Sequence, residues 1–477
     1  MTQEPAPGLT TSAKRLQLSP AERARIGKDA RRMVPLDSHA DLPPGTDGRD
    51  PVAVLRDEEA TRVPELVPIR YGRMLTTPFA FFRGAAGIMA GDLAATPVSG
   101  FHTQTCGDAH LSNFGLFASA ERTLVFDIND FDETLPGPWE WDVKRLVASF
   151  AVAGRDNGYT ARQRRRIALA GAGAYRNAMR QFATQTNLAV WYAQLDGPTM
   201  IARAGQGLAP AQVERTEAAL EKARTRDSLH ALGKLSAVIG GERRIIAIPP
   251  VVVPIEHFLP GATADEVRHE MQDILDGYSL SLSRERRHLL AQFRLVHMAR
   301  KVVGVGSVGT RSWILLLLGR DEDDPLLLQA KEASASVLER YVGASGCAHH
   351  GERVVAGQRA MQTSGDIFLG ACSVQAADGR NRDFYVRQLR DWKGSAEIGA
   401  MVPRGMAAYA SACGWTLARA HARSGDRIAI AAYLGAKDRF EQAVADFGEA
   451  YADLNEEDFG RLQKAAREGS VPVQTGV

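Results

Sequence analysis

The sequence predicts an α+β protein in which a small group of strands lies among long helical segments. Three observations carry this. From Asp142 onward, Val143, Leu146, Val147 and Phe150 fall on one face of a 3.6-residue period. Between residues 313 and 389, short apolar runs alternate with Gly, Pro and Asp punctuation, as strands do. From Pro403 to the end the chain is helical again.

The bulk numbers bound the function. A chain of 477 residues, 45% of them hydrophobic, can build two or three cores. Its 58 basic residues are balanced by 56 acidic ones, a net +2, so bulk charge gives no reason to expect a nucleic-acid partner. The basic runs at 162–166 and 284–287 adjoin apolar helical stretches and read as solvated helix faces. Cys106, Cys347, Cys372 and Cys413 are scattered with no CxxC pair, which supports neither a disulfide framework nor a zinc site. The N-terminus has no apolar core of signal-peptide type, and the apolar run at 313–318 is far too short to span a membrane. A cytoplasmic protein with no membrane partner is expected, of unknown oligomeric state.

Along the chain, residues 1–60 are polar and rich in Pro, Asp and Arg, and read as a loosely held extension with one helix near 20–33. Pro78-Phe79-Ala80-Phe81-Phe82-Arg83-Gly84 leads into an apolar helix ending near Leu93. Strands follow at 102–106 and 124–128, then helices from Asp142 and over 160–184. Residues 185–295 read as mostly helical, broken by the Pro-rich, β-branched run 248–255, and are expected to line the acceptor side of a site. Residues 302–311 form a glycine-rich turn between extended segments. Strands at 313–318 and 325–330, a helix at 352–361, and strands at 367–374 and 383–389 complete a sheet-rich unit.

The chemistry centres on Gly107-Asp108-Ala109-His110-Leu111-Ser112-Asn113. A carboxylate and a carboxamide five residues apart on a loop after a strand let Asp108 face a substrate hydroxyl while Asn113 offers oxygen to a hard cation. Asp127, Asp130, Asp132 and Glu133 cluster at the exit of the next strand, and Mg²⁺ binds through one or two carboxylates plus phosphate oxygens. Downstream, Gly304-Val305-Gly306-Ser307-Val308-Gly309 is a GxGxxG turn set between strands, as in a loop that covers phosphates. Lys331 closes a later apolar strand and calls for an anionic partner. If Lys331 holds phosphates, a glutamate should orient it; spacing leans to Glu352, with Glu339 and Glu332 as alternatives. His110, without a second ligand at metal spacing, suits packing or loop support. Trp139 and Trp141 read as core or clamp aromatics.

Together these residues resemble the protein-kinase-like superfamily, most closely its aminoglycoside and choline phosphotransferase branch. Cys106-Gly107-Asp108-Ala109-His110-Leu111-Ser112-Asn113 is similar to that branch's HGDxHxxN loop, with Cys in place of the leading His. Ile128-Asn129-Asp130-Phe131-Asp132 resembles its IDFxD strand end, and Asp142-Val143-Lys144-Arg145-Leu146 the helix start after it. The resemblance implies a catalytic base in Asp108, metal ligands in Asn113 and Asp130 with Asp127 competing, and a structural anchor in Asp142. It implies ATP and Mg²⁺ as cofactors, with Gly304, Gly306, Ser307, Gly309, Lys331 and Glu352 on the nucleotide. The order departs: the glycine turn and lysine follow the catalytic loop, and the LARLHA-like helix at 410–422 lies near the C-terminus.

A circular permutation accounts for these displacements. It implies a two-lobed kinase-like fold, with a large lobe at 61–295, a small antiparallel-sheet lobe at 296–395 inserted into it, and C-terminal helices at 396–477 completing the large lobe. From about Arg70 to the C-terminus the chain also resembles the bacterial family called domain of unknown function 2252, through the phrases PFAFFRG, GDAHLSNFG, FDINDFDETLPGPWEWDVKRL and LQAKEA. The function expected is an ATP/Mg-dependent phosphotransferase acting on an unidentified hydroxyl of a small molecule or protein. Transfer of AMP, or nucleotide binding without catalysis, are the alternatives.

Overall fold

The computed structural model describes residues 16–42, 49–205, 210–225, 228–258, 264–302, 304–375, 379–389 and 392–476. The parts of the expected extension at 1–15 and 43–48 lie outside these residues. Helices and antiparallel sheets share the chain, an α+β architecture.

Its buried axis is helix α3. With α1 at Pro20–Met33 and α2 at Pro78–Gly84 before it, α3 runs Trp139–Asp156 and is buried from Trp139 to Gly154. With no face left to solvent, it is surrounded by other elements. Around it lie α4 (Ala161–Ala183) and, much later in the chain, α6 (Pro403–Ser424) and α8 (Arg439–Arg467). Where α4 meets α6, a Cβ on Gly414 would come 2.1 Å from the Gly171 carbonyl oxygen, so only glycine permits that approach. Trp139 is fully buried and stacks on Tyr175 with centroids 5.5 Å apart, a core role.

The N-terminal helix is held firmly. Helix α1 packs on α7 (Arg427–Leu434), and Arg23 pairs with Asp426 at 2.7 Å, both nearly buried. Its described residues therefore differ from the loosely held extension that polar composition suggested: one buried ion pair and an apolar strip suffice to dock a short helix.

Strands β1 (His102–Thr105) and β4 (Leu135–Pro138) pair; β2 (Phe114–Ala118) and β3 (Leu124–Ile128) form a three-stranded sheet with β13 (Gly394–Ser395). A hairpin joins β5 (Ser236–Ile239) and β6 (Glu242–Ile245). The main sheet has six strands in the order β11-β12-β10-β9-β8-β7. These are β7 (Val252–Pro254), β8 (Arg294–Lys301), β9 (Ser312–Leu318), β10 (Pro325–Ala333), β11 (Gly370–Gln375) and β12 (Asn381–Gln388). β9 is central: Leu315 and Leu317 enter one apolar cluster, Ile314 and Leu316 another on the opposite face. That explains its unbroken apolar run. Lys331 lies opposite Ser312 and Tyr385 in the ladder.

Strand β8 and the hairpin were not expected. Arg294-Leu295-Val296-His297-Met298-Ala299-Arg300-Lys301 carries three basic residues and a histidine, and a register shift between Leu295 and His297 breaks its alternation. Helix α5 (His350–Met361) begins slightly ahead of its expected start, and β11 starts at Gly370, three residues after its expected start.

Burial in this core makes one measurable prediction. Glu140 is fully buried, and desolvation pushes its carboxyl up to about 7, although the Ser99 amide donates to it at 2.7 Å. Lys144, one turn on, is pushed down to about 8 by the same burial. An unfolded glutamate titrates near 4.5. Between the two values the folded chain keeps a proton that the unfolded chain has lost, so stability falls as pH rises through that window. Glu140→Gln should remove a decline on the order of 2–3 kcal/mol between about pH 5 and pH 8. Denaturant midpoints measured across that range check it; an unchanged slope would mean Glu140 is ionised in the folded chain.

Candidate active site

The 106–113 loop is fixed from below by one carboxylate. Asp142, in the first turn of α3, accepts from the Cys106 amide at 2.7 Å and the Gly107 amide at 3.0 Å. His421 of α6 approaches the same carboxylate at 3.1 Å and is itself 2.9 Å from the Tyr175 hydroxyl. Gly107 has φ +79°, and a Cβ there would lie 2.2 Å from the Glu133 carbonyl oxygen. Only glycine fits where the loop presses on the next acidic turn.

Asp108 sits at the loop's apex, its side chain about one-fifth exposed. Arg145, three residues beyond Asp142 on α3, donates to its Oδ1 at 2.9 Å. Arg145 is also held by the Phe82 carbonyl at 2.7 Å and lies over the Phe82 ring. His110 Nε2 is 3.7 Å from Asp108 Oδ2. Burial pushes the His110 imidazole down to about 4, with Arg83 and Arg145 adding to the effect against Asp108, so the ring is neutral at pH 7. Asn113 Nδ2 donates to the Asp108 carbonyl at 2.7 Å, which leaves its Oδ1 for another partner.

The two candidate metal aspartates part company here. Asp127 is fully buried and saturated: Arg419 pairs with Oδ1, and Thr363 donates to Oδ2 from its amide at 2.9 Å and its hydroxyl at 2.7 Å. It ties β3 to α6 and to the end of α5, so as a metal candidate it is corrected. Asp130 lies in the cleft, with a buried Oδ1 that accepts no hydrogen bond. Burial alone would raise its pKa; Lys331 and Arg387 overcome this and hold it below the usual carboxylate range. One carboxylate oxygen without a hydrogen bond and one carboxamide oxygen match what Mg²⁺ takes from protein when phosphate oxygens and water fill the remaining positions. Among the described residues no cluster of three or more His, Cys, Asp or Glu could hold a metal unaided.

Lys331 is 2% exposed and crosses from β10 to the acidic turn: its Nζ is 2.5 Å from Asp132 Oδ2 and 3.5 Å from Asp130 Oδ1. Burial works against its charge, but the two carboxylates hold its pKa above the ordinary lysine value. Tyr385 donates to Asp132 Oδ1 at 2.5 Å. The acid that orients Lys331 is thus Asp132, which corrects the expectation of Glu352. Glu352 is exposed and accepts from the Ala348 amide at the start of α5; Glu332 pairs with Arg311, and Glu339 approaches His350 and Arg353. The neighbour of Glu352, Arg353, holds the acidic turn through the Asp132 and Thr134 carbonyls at 2.8 and 2.6 Å.

The glycine turn closes the cleft. Gly304, Gly306 and Ser307 line it, and Ser307 donates to Asp132 Oδ2 at 3.2 Å. Gly309 (φ +96°) sits outside the lining, where its carbonyl accepts from the Val63 amide at 2.7 Å. The N-terminal region grips the turn: Arg62 donates to the Gly306 carbonyl at 2.8 Å and Arg73 to that of Gly304 at 2.6 Å.

Two cavities meet here. One, of about 280 Å³, contains Asp108, His110, Asp132 and Glu133. The other, of about 500 Å³, is basic: Lys234, Lys301, Lys331, Arg387 and Lys393 face Asp130. Arg83, Asn113, Asp130, Gly304 and Ser307 line both. Among described residues of 185–295, His230 and Lys234 line the basic cavity and none lines the Asp108 cavity.

Sequence reasoning missed Arg83, Arg145, Tyr385 and Arg387. Arg145 was open to detection, since i,i+3 spacing from Asp142 puts it on the face that meets the loop. Arg83 stood in a quoted phrase but gave no chemical pattern.

Residues 62–465 match the model of a family described as "Uncharacterized protein conserved in bacteria (DUF2252)". No curated protein and no solved structure matches the chain.

Proposed function

The chain belongs to the DUF2252 family, and we propose that it is an ATP- and Mg²⁺-dependent phosphotransferase of circularly permuted, protein-kinase-like fold, acting on a hydroxyl acceptor. One observation carries the reading: the Asp108 loop, the Asp130–Lys331 pair and the glycine turn converge on one cleft from segments some two hundred residues apart. A wide separation of Lys331 from Asp130 would have ended it. The six lysine and arginine side chains that line the larger cavity with Asp130 suit a triphosphate, whose charge needs several partners.

In this reading Lys331 and the backbone of Gly304, Gly306 and Ser307 hold the phosphates, and Asp132 and Tyr385 fix the direction of Lys331. Mg²⁺ bound by Asn113 and Asp130 would neutralise charge on the phosphate oxygens. Asp108, held by Arg145 through one oxygen, would turn its other oxygen to the acceptor hydroxyl and take its proton. Positioning and electrostatics do most of the work.

The test is transfer of label from ATP. A γ-label reaching product supports phosphoryl transfer; an α-label reaching product replaces it with transfer of AMP. Saturating ATP–Mg²⁺, at about 100 Kd, should stabilise the fold by about 2.7 kcal/mol. Lys331→Met should weaken that binding at least about tenfold, a loss of about 1.4 kcal/mol. The absence of both stabilisation and label transfer would end the proposal. The Arg145–Asp108 ion pair favours a second reading, nucleotide binding without transfer, because it occupies one of the two oxygens that a base would offer an acceptor. It predicts the stabilisation with no label in any product.

A further inference from the structure

The cleft holds an arginine with a buried donor that no described group accepts from. Arg83 ends α2 and lines both cavities where they meet, with Asn113, Asp130, Gly304 and Ser307; it is the one charged donor in that shared set. Its Nε is buried without a partner. Four neighbouring cations are engaged: Arg62 with the Gly306 carbonyl, Arg145 with Asp108, Arg387 with the Asn129 carbonyl, Lys331 with Asp132. Burial works against the charge of Arg83, and the carboxylates that oppose this across the cavity are Asp108 and Asp130. A buried donor left without an acceptor is costly, and such a cost persists where a ligand is to complete the pairing.

Its backbone is pinned on each side. Arg145 holds the Phe82 carbonyl at 2.7 Å and Arg70 the Gly84 carbonyl at 3.1 Å. Gly306 lies so close that a Cβ there would be 2.9 Å from the Arg83 carbonyl oxygen. The arginine is therefore presented from a preset position, between the base loop and the glycine turn.

We propose that Arg83 is a catalytic residue that binds the phosphoryl group in flight, neutralising the charge on its non-bridging oxygens. This rests on the phosphotransfer reading of the same cleft. In that step the acceptor oxygen forms a bond to the γ-phosphorus as the bond to the β,γ-bridging oxygen breaks. ADP leaves with the electron pair, and the hydroxyl proton passes to Asp108. A guanidinium at the junction of the nucleotide and acceptor cavities is placed for the group that crosses between them. A planar fork of donors suits phosphate oxygens better than a point charge does.

The test measures kcat and KM for γ-labelled ATP, with the Kd of ATP–Mg²⁺, in Arg83→Ala, Arg83→Gln and Arg83→Lys. For the neutral variants kcat should fall about 10²- to 10³-fold while Kd stays within about threefold. Arg83→Lys, keeping charge but not the fork, should recover part of the loss; it also serves if a neutral variant fails to fold. Unchanged kcat in a folded neutral variant overturns the role of Arg83 alone. So does a rise in Kd with kcat unchanged, which would make Arg83 a ground-state phosphate holder. If the unaltered chain transfers no label from ATP, the phosphotransfer reading itself falls and the Arg83 proposal falls with it.

Discussion

Asp108→Asn should lower transfer from ATP by about 10²- to 10⁴-fold, the usual contribution of a positioned general base, while ATP–Mg²⁺ binding stays within a small factor of its original value. Asparagine is the informative replacement. Its side-chain oxygen can still accept from Arg145, which is 2% exposed and donates to Asp108 Oδ1 at 2.9 Å. Alanine would strand that guanidinium and mix a folding defect with the chemical one. Single-turnover rates with ATP held above Kd isolate the chemical step. Transfer at an undiminished rate would remove Asp108 from the role of base, and Asp132 and Glu133, which line the same cavity, would have to be tested in its place.

The second large effect is on stability. Asp127→Ala should cost about 3–5 kcal/mol, because Arg419, 1% exposed, would keep its charge and lose its only carboxylate among the described residues. Thr363 would lose an acceptor for both its amide and its hydroxyl. Against a typical total of about 5–15 kcal/mol this threatens folding at ordinary temperature. Asp127→Asn keeps an acceptor and should cost less. The urea midpoint, read at constant m-value, measures the loss. A normal midpoint with loss of Mg²⁺-dependent nucleotide binding would instead return Asp127 to the metal site.

These two aspartates show where the sequence was informative and where it was not. The Asp108 loop was legible because a glycine, a carboxylate and a carboxamide stand at fixed local spacing, and local spacing survives any arrangement of the rest. Asp127 and Asp130 were not separable. They stand three residues apart at one strand end, and what distinguishes them is Arg419, nearly three hundred residues away, against Lys331, two hundred away. Glu352 failed for the same reason. Its spacing from Lys331 was suitable, yet β10 and α5 direct Lys331 to the acidic turn and give α5 the task of holding that turn through Arg353. Strand β8 escaped notice because a bulge, three basic residues and a histidine hid the alternation on which strand recognition depends.

The sequence by itself determined what depends on neighbours along the chain. This covers the α+β character, the helix of α3, the apolar run of β9, the loop from Gly107 to Asn113, the glycine turn and membership of its family. The tertiary structure alone decided which carboxylates are buried anchors and which face the cleft, which acid meets Lys331, and that Arg83 holds a buried donor without an acceptor where the two cavities join. The physical reason is that burial and ion pairing belong to groups brought together from distant segments. Backbone preference acts within a few residues, whereas the energy of a charge is set by whatever the fold places beside it.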